Sequence, residues 1–462
     1  MLAGALAGFP AAADFQQLWT EARRGRVPSG PAMAQRPDAG AEERVAIALV
    51  RAEDVQRSSN AFVELWPDRA LEEARRLDQG PAGRSLHGVP FAYKDAFASR
   101  ERLPTLGAGD HVRWSGPPSI LLDRLAGGGA VAIGATRLDP FCYTATGLNA
   151  VDGRVRNPLD PRLAVGGSSS GSAAAVAAGV VPFALGTDTG GSVRIPAALC
   201  GIYGLKPSQG LLADPGMAPL CPSQDTAGIL AGSVGMMRVV LEAVAPASRK
   251  SSPACDEGPR AERPRVGLCP AWSEGSNPAV AAALAATAER CRSLGYAVQD
   301  VPLPSLDVLN AAASQMTGFE AFAIHAPRLA GDPGRYPDPC RRRMLVASLV
   351  TLDDYRRAVR LRGALLAQVL STAFAAVDVL LCPTIRVLAP RVDMLADDDI
   401  ETAGRIGLEF LRLNRPFSLL GLPSLSIPAG SAAEGQAIGL QLIGKPFCDA
   451  RLLDLADALT PP

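Results

Sequence analysis

Apolar positions along this chain recur with two periods, and the switches between them mark out its elements. In EERVAIALVRAED, Val45, Ala46, Leu49 and Val50 recur near helical spacing, and residues 1–58 read as mainly helical. NAFVELW (Asn60–Trp66) is short and apolar enough for a strand, Pro67-Asp68 ends it, and DRALEEARRLDQ returns to a helical pattern. GVPFAYKDAF (Gly88–Phe97) predicts a strand entering a loop. SILLDRLAGGG (Ser119–Gly129) predicts a helix closed by glycine, and AVAIGAT a buried strand. SAAAVAAG (Ser172–Gly179) predicts a short helix packed through small side chains, and VVPFALGTDTGGS a strand running into a Gly-rich turn. After Ala245–Arg265, whose composition is that of a solvated linker, RVGLCP, NPAVAAALAATAERCRSLG and YAVQDVPLP repeat the strand–helix–strand order. A long helical section covers roughly 308–376. VDVLLCPT (Val377–Thr384), GLPSLSIPAG and AIGLQLIG then predict three strands. This alternation implies an α/β layered fold.

Composition narrows the function classes. Lys and Arg number 46 and so do Asp and Glu, which argues against a dedicated nucleic-acid surface. The nine cysteines form no C-x-x-C pair, so no zinc or redox motif is read from them, and scattered thiols fit a cytoplasmic setting. The N-terminal MLAGALAGFPAAADFQ lacks the basic start of a signal peptide, and no run reaches the length that spans a membrane.

The candidate chemistry lies in two Gly-Ser clusters, GGSSSGS and GTDTGGS, separated by a small-residue helix and a short apolar run. A serine hydroxyl needs a base to act as a nucleophile near neutral pH. The chain has only three histidines, His87, His111 and His325, and none lies in either cluster. A lysine can serve where its surroundings keep it neutral. Lys94, which follows an apolar strand, is the best candidate; the next lysine is Lys206. In GTDTGGS the successive small residues let backbone N–H groups converge on one point, a nest able to stabilise an oxyanion, with Ser192 closing the turn.

The continuous stretch GGSSSGSAAAVAAG…GTDTGGSVRIPAALCGIYGLKPS resembles the amidase signature family. GVPFAYKDAF, ATGLNAVDGRVRNPLDP, LLCPT and GLPSLSIPAG…AIGLQLIG extend the likeness over roughly residues 40–460. The resemblance implies a central mixed twisted sheet covered by helices on both faces, in one large domain with a signature core at 60–240 and a C-terminal part at 266–462. It implies that Ser192 is the nucleophile, that Ser168 is a relay serine after a cis peptide at Gly167–Ser168, and that Lys94 is the general base. The N–H groups of Thr189, Gly190, Gly191 and Ser192 would form the oxyanion hole. The expected activity is hydrolysis of amide-type bonds, urea or carbamate (urethane) included, without cofactor or metal. The expected partner is a small-molecule amide or carbamate rather than nucleic acid or membrane, with a homodimer as one option.

Two alternatives stand beside this: a glutaminase-type subunit of a transamidation complex, and a catalytically inactive scaffold. The sequence also departs from the family's usual pattern, with Ser170 in place of a second glycine and Ala135-Thr136-Arg137-Leu138 in place of its frequent Lys-Thr-Asn.

The neighbouring residues carry plainer expectations. Ser169 and Ser170 should hydrogen-bond the turn, Asp188 should satisfy backbone donors, and Arg194 should be an ion-pair partner. Arg341–Arg343 should be a solvated helix face, although in amidotransferase relatives an arginine near this place binds a substrate carboxylate. Phe141, Tyr143, Leu220 and Phe417 suggest a small apolar-lined site. Gly167–Gly171 also fits G-x-S-x-G, the nucleophile elbow of α/β-hydrolases, which would need His325 downstream.

Overall fold

A computed structural model describes residues 40–81, 83–109, 113–246, 264–395 and 400–460. Residues 1–39, most of the linker at Ala245–Arg265, and His111 lie outside the described residues.

One sheet of eleven strands organises the chain in the order β1-β3-β2-β4-β6-β5-β10-β11-β9-β7-β8. The strands are β1 (Phe62–Leu65), β2 (Pro90–Lys94), β3 (Val131–Thr136), β4 (Phe183–Asp188), β5 (Tyr203–Lys206), β6 (Thr226–Ala231), β7 (Val266–Leu268), β8 (Val298–Asp300), β9 (Val379–Pro383), β10 (Ser424–Ser431) and β11 (Ala437–Gly444). The sheet is mixed. β2 runs parallel to β3 and β4, and β7 runs parallel to β8 and β9, while β10 pairs antiparallel with both β5 and β11.

The main helices, in chain order, are α1 (Ala41–Ser59), α2 (Pro67–Asp78), α3 (Ile120–Gly127), α4 (Ser170–Ala177), α5 (Arg194–Cys200), α6 (Val234–Val244), α7 (Pro278–Ser293), α8 (Leu306–Gly331), α9 (Asp338–Ala347), α10 (Leu352–Ser371), α11 (Ile400–Leu411), α12 (Arg415–Leu419) and α13 (Asp449–Leu459). They flank the sheet, giving the expected α/β architecture with a mixed sheet.

Side-chain alternation along the central strands explains the layers. Phe91, Tyr93, Phe183 and Leu185 point into one core, with Leu121 and Leu125 of α3 and Met237 and Val240 of α6. The intervening Ala92 and Ala184 face the opposite core, where Ala173, Ala174 and Ala175 of α4 pack against them. Small residues on both sides let this helix approach closely. Gly171, in its first turn, has no room for a side chain: a Cβ there would lie 2.2 Å from the Ala61 carbonyl oxygen and 2.6 Å from the Arg137 nitrogen.

α4 begins at Ser170, two residues before the expected start, because the Ser169 carbonyl already accepts from the Ala173 N–H. The helical section at 308–376 is divided among α8, α9, α10 and a short last helix at Ala373–Ala376, with breaks at Asp332-Pro333, at Thr351, whose side chain and that of Asp354 form a capping box, and at Thr372.

Candidate active site

Lys94 is the last residue of β2 and Asp188 the last of β4, so these parallel neighbours deliver their ends to one edge of the sheet. Lys94 is fully buried. Its Nζ donates to Ser168 Oγ at 2.7 Å and to Thr187 Oγ1, from β4, at 2.7 Å. The other buried lysine near the clusters, Lys206, turns its Nζ to the Pro207 carbonyl at 2.8 Å, and burial pushes it down to about 7. Of the two, only Lys94 donates to a serine of either cluster.

The peptide bond between Gly167 and Ser168 is cis. The Ser168 carbonyl accepts from the Asp139 N–H at 3.2 Å, and the next N–H, of Ser169, donates to the Ser192 carbonyl at 3.1 Å. That last bond ties the two Gly-Ser turns together. Ser169 Oγ bridges to both the N–H and the carbonyl of Thr187, each at 3.3 Å, as its expected structural role requires. Ser170 departs from expectation: at the first position of α4 its hydroxyl is buried with no hydrogen-bond partner among the described residues.

The turn Thr189–Ser192 is set by the fully buried Asp188. Its carboxylate accepts from the N–H groups of Gly191 at 2.7 Å and Val193 at 3.2 Å, and is gripped by Arg194 through Nε at 3.0 Å and Nη2 at 2.9 Å. Burial alone would raise the Asp188 carboxyl; the Arg194 guanidinium outweighs it and holds the group below the usual carboxylate range. Arg194 also reaches Ser418 Oγ, the Asn414 carbonyl and Gln441 Oε1. Both residues therefore fill the structural roles expected of them.

The four N–H groups expected at the oxyanion position are not equivalent. The Gly191 N–H is directed at Asp188. Those of Thr189, Gly190 and Ser192 make no backbone–backbone bond among the described residues. Gly191 has φ 126°, and a Cβ there would lie 2.6 Å from Asn414 Cβ, so the position demands glycine. The Thr189 hydroxyl donates to Asp225, which also accepts from the N–H groups of Leu220 and Cys221 at 2.8 and 2.9 Å. Asp139 lies beneath the other turn. Its Oδ2 accepts from Thr144 Oγ1 and from the N–H groups of Thr146 and Gly147, while its buried Oδ1 has no partner among the described residues. Burial pushes its carboxyl up to about 6 against those donors and Lys94.

The remaining expectations divide. Phe141, Tyr143 and Leu220 share one apolar cluster, but Phe417 belongs to another, where its ring meets Trp272 at 5.4 Å. Arg341 and Arg342 pair with Asp338 at the surface. Arg343 instead turns inward, lying over the Tyr143 ring at 4.8 Å and donating to the Tyr143 carbonyl at 2.7 Å. It follows Cys340 by three residues and so shares that helix's buried face. His325 is buried against Phe141, its Nδ1 is bonded to the Tyr336 hydroxyl at 2.9 Å, and burial pushes it down to about 4. Sequence reasoning did not single out Asp139, Thr187, Asp225 or Arg415; buried polar residues of this kind carry no periodic signal.

Comparison with known proteins adds a second line of support. The profile of the Amidase family matches residues 43–453. A glutamyl-tRNA(Gln) amidotransferase subunit of Thiobacillus denitrificans is 33% identical, covering 86% of this chain and 88% of its own length. The subunit of the same name from Chloroflexus aurantiacus is 32% identical, with 95% and 96% covered. Among solved structures, an amidase superposes with a TM-score of 0.81 at 31% identity, covering 93% of this chain and 98% of its own. A 6-aminohexanoate cyclic dimer hydrolase in complex with its substrate gives 0.78 at 26%, covering 94% and 96%.

Proposed function

The chain belongs to the amidase signature family, and from that premise we propose that it cleaves amide-type C–N bonds through an acyl-enzyme on Ser192. The observation that carries the reading is the Lys94 Nζ–Ser168 Oγ hydrogen bond inside a sealed core, joined to the Ser192 turn through the Ser169–Ser192 backbone bond. Lys94 takes the Ser168 proton while Ser168 takes the Ser192 proton. Ser192 Oγ attacks the substrate carbonyl. The negative oxygen settles on the N–H groups of Thr189, Gly190 and Ser192; Gly191, its N–H engaged by Asp188, holds the turn rather than the oxyanion. Collapse of the intermediate expels the amine, which takes the proton back along the same route, and water repeats the cycle on the acyl group.

Two settings fit this chemistry. The curated relatives named as amidotransferase subunits favour the glutaminase half of a transamidation complex over a stand-alone enzyme. The amidase and the cyclic dimer hydrolase favour the stand-alone setting, with urea or carbamate among the bonds open to it.

Titration of the purified chain with a fluorophosphonate, followed by a panel of aryl amides, glutamine, ureas and carbamates, separates them. Ser192 is expected to be labelled, and Ser192→Ala to lower turnover by about 1,000-fold or more. Turnover of glutamine alone would assign the glutaminase setting, and turnover across simple amides the stand-alone one. A folded chain that is neither labelled nor active would leave only the inactive scaffold.

A further inference from the structure

Thr187 is the second partner of Lys94, and its hydroxyl carries a proton that has to be placed. Ser169 Oγ fixes the Thr187 backbone at both its N–H and its carbonyl. The Thr187 hydroxyl has one proton and two lone pairs. Lys94 Nζ donates to it at 2.7 Å. Among the described residues its one other hydrogen-bond partner is Cys142 Sγ at 3.7 Å. Cys142 is a free, buried thiol. The backbone holds it there against its own preference. Phe141 and Cys142, at φ 55° and 61°, are successive left-handed residues that both carry side chains, an arrangement that persists only where the surroundings enforce it. Here they do. The Phe141 ring stacks on Tyr336 at 4.6 Å and meets His325 edge-on at 5.1 Å, its N–H donates to the Leu106 carbonyl at 2.8 Å, and the Pro140 carbonyl accepts from Cys340 Sγ at 3.4 Å. A chain that needed only to turn would be eased by glycine at these positions.

We propose that Cys142 is a positioning residue: its sulfur accepts the hydrogen bond of the Thr187 hydroxyl, which keeps Thr187 an acceptor toward Lys94 and leaves the Lys94 lone pair to Ser168. Lys94 can take the Ser168 proton only with that lone pair turned to Ser168 Oγ, 2.7 Å away. The Thr187 hydroxyl, equally close, competes for it whenever its own proton has nowhere else to go. Sulfur is a weak acceptor, but in a buried site a hydroxyl proton left without any acceptor is the costlier alternative. Thr187 thus acts on the amine, and Cys142 acts on Thr187. The proposal rests on the hydrolase reading for the use that Lys94 makes of its lone pair.

The test uses the full chain and the rate at which a fluorophosphonate labels Ser192. Labelling forms the bond from Ser192 Oγ to phosphorus, expels fluoride, and sends the Ser192 proton through Ser168 to Lys94, so its rate reads the relay with no substrate identified. A concentration series separates the limiting rate from half-saturation. Cys142→Ala is expected to lower the limiting rate about tenfold and to leave half-saturation within about twofold. Cys142→Ser, whose hydroxyl accepts in place of the sulfur, is expected to restore most of the rate. In a Thr187→Val background, which has no hydroxyl to orient, Cys142→Ala is expected to cost nothing further, the mark of action through Thr187. Thermal melts establish that each variant is folded. Should Cys142→Ala fail to fold, Cys142→Gly carries the test, since glycine adopts φ 61° readily. An unchanged limiting rate in either folded variant overturns the proposal. So does a loss that serine does not repair, or one that persists beside Thr187→Val, since a packing defect would behave that way. A folded wild-type chain that never labels overturns the hydrolase reading, and this proposal with it, an outcome distinct from a labelled chain indifferent to Cys142.

Discussion

Asp139 joins the first Gly-Ser turn to the rest of the protein, and its titration is measurable. The carboxyl is buried, keeps one oxygen without a partner among the described residues, and is pushed up to about 6 by that burial. An aspartate in the unfolded chain titrates near 3.9. Between about pH 4 and 6 the folded protein therefore holds a proton that the unfolded chain has lost. Stability contributed by this group falls as pH rises through that window and is flat above it, a loss of about 3 kcal/mol. Asp139→Asn removes the titration. The gap in unfolding free energy between wild type and variant, read from urea melts, is expected to move by about that amount in the variant's favour from pH 4 to 7. A gap that stays constant across those pH values refutes the assignment. Little of this was legible beforehand. DPFCYTATG shows an acid before a proline but not its burial. The serines and Lys94 were legible because small residues at fixed offsets form a recognisable string. The direction of the Gly191 N–H was not, because it depends on where the Asp188 carboxylate lies.

The strands with continuous apolar runs, β2, β3, β4, β9, β10 and β11, were readable from pattern, since each is flanked by glycine or proline. β5 and β6 were not singled out: YGLK and TAGILA are short and glycine-interrupted, and only their neighbours in the sheet make strands of them. The same dependence on neighbours governs α4. It carries no side chain larger than valine, so its place is fixed by close backbone approach rather than by bulky anchors. Gly171 is the point of closest approach. Gly171→Ala forces α4 away from the β1 end of the sheet, at a cost of about 1–3 kcal/mol from overpacking. Because Ser168 and Ser169 precede this helix directly, turnover is expected to fall with stability. Parallel thermal melts and kcat measurements check this: unchanged values of both would show that α4 is not held there. Gly127, whose Cβ would meet nothing within 4 Å, is the control, with no comparable loss expected for Gly127→Ala.

The single sheet draws both halves of the chain into one structure. β10 pairs with β5 from residue 424 to 426, so the sheet does not end where the signature core ends. The same junction is polar at the site. Asp188 and Arg194 come from the first half, and Asn414, Ser418 and Gln441, which complete the Arg194 shell, come from the second. Gly191 packs on Asn414, and Gly190 on Leu411 and Arg415. Removal of the second half would expose β5 as an unpaired edge and leave a buried ion pair partly unsatisfied, each a strong reason not to fold. Residues 40–246 produced alone are therefore expected to lack a cooperative urea transition and to show no fluorophosphonate labelling of Ser192. The full chain is expected to lose its structure and its labelling in one transition. A fragment that folds cooperatively and still reacts at Ser192 would mean that the nucleophile turn does not need the C-terminal residues that surround it. The serine clusters alone do not reveal this dependence: they lie wholly in the first half, whereas Asn414, Ser418 and Gln441, which complete the Arg194 shell, follow them by more than two hundred residues.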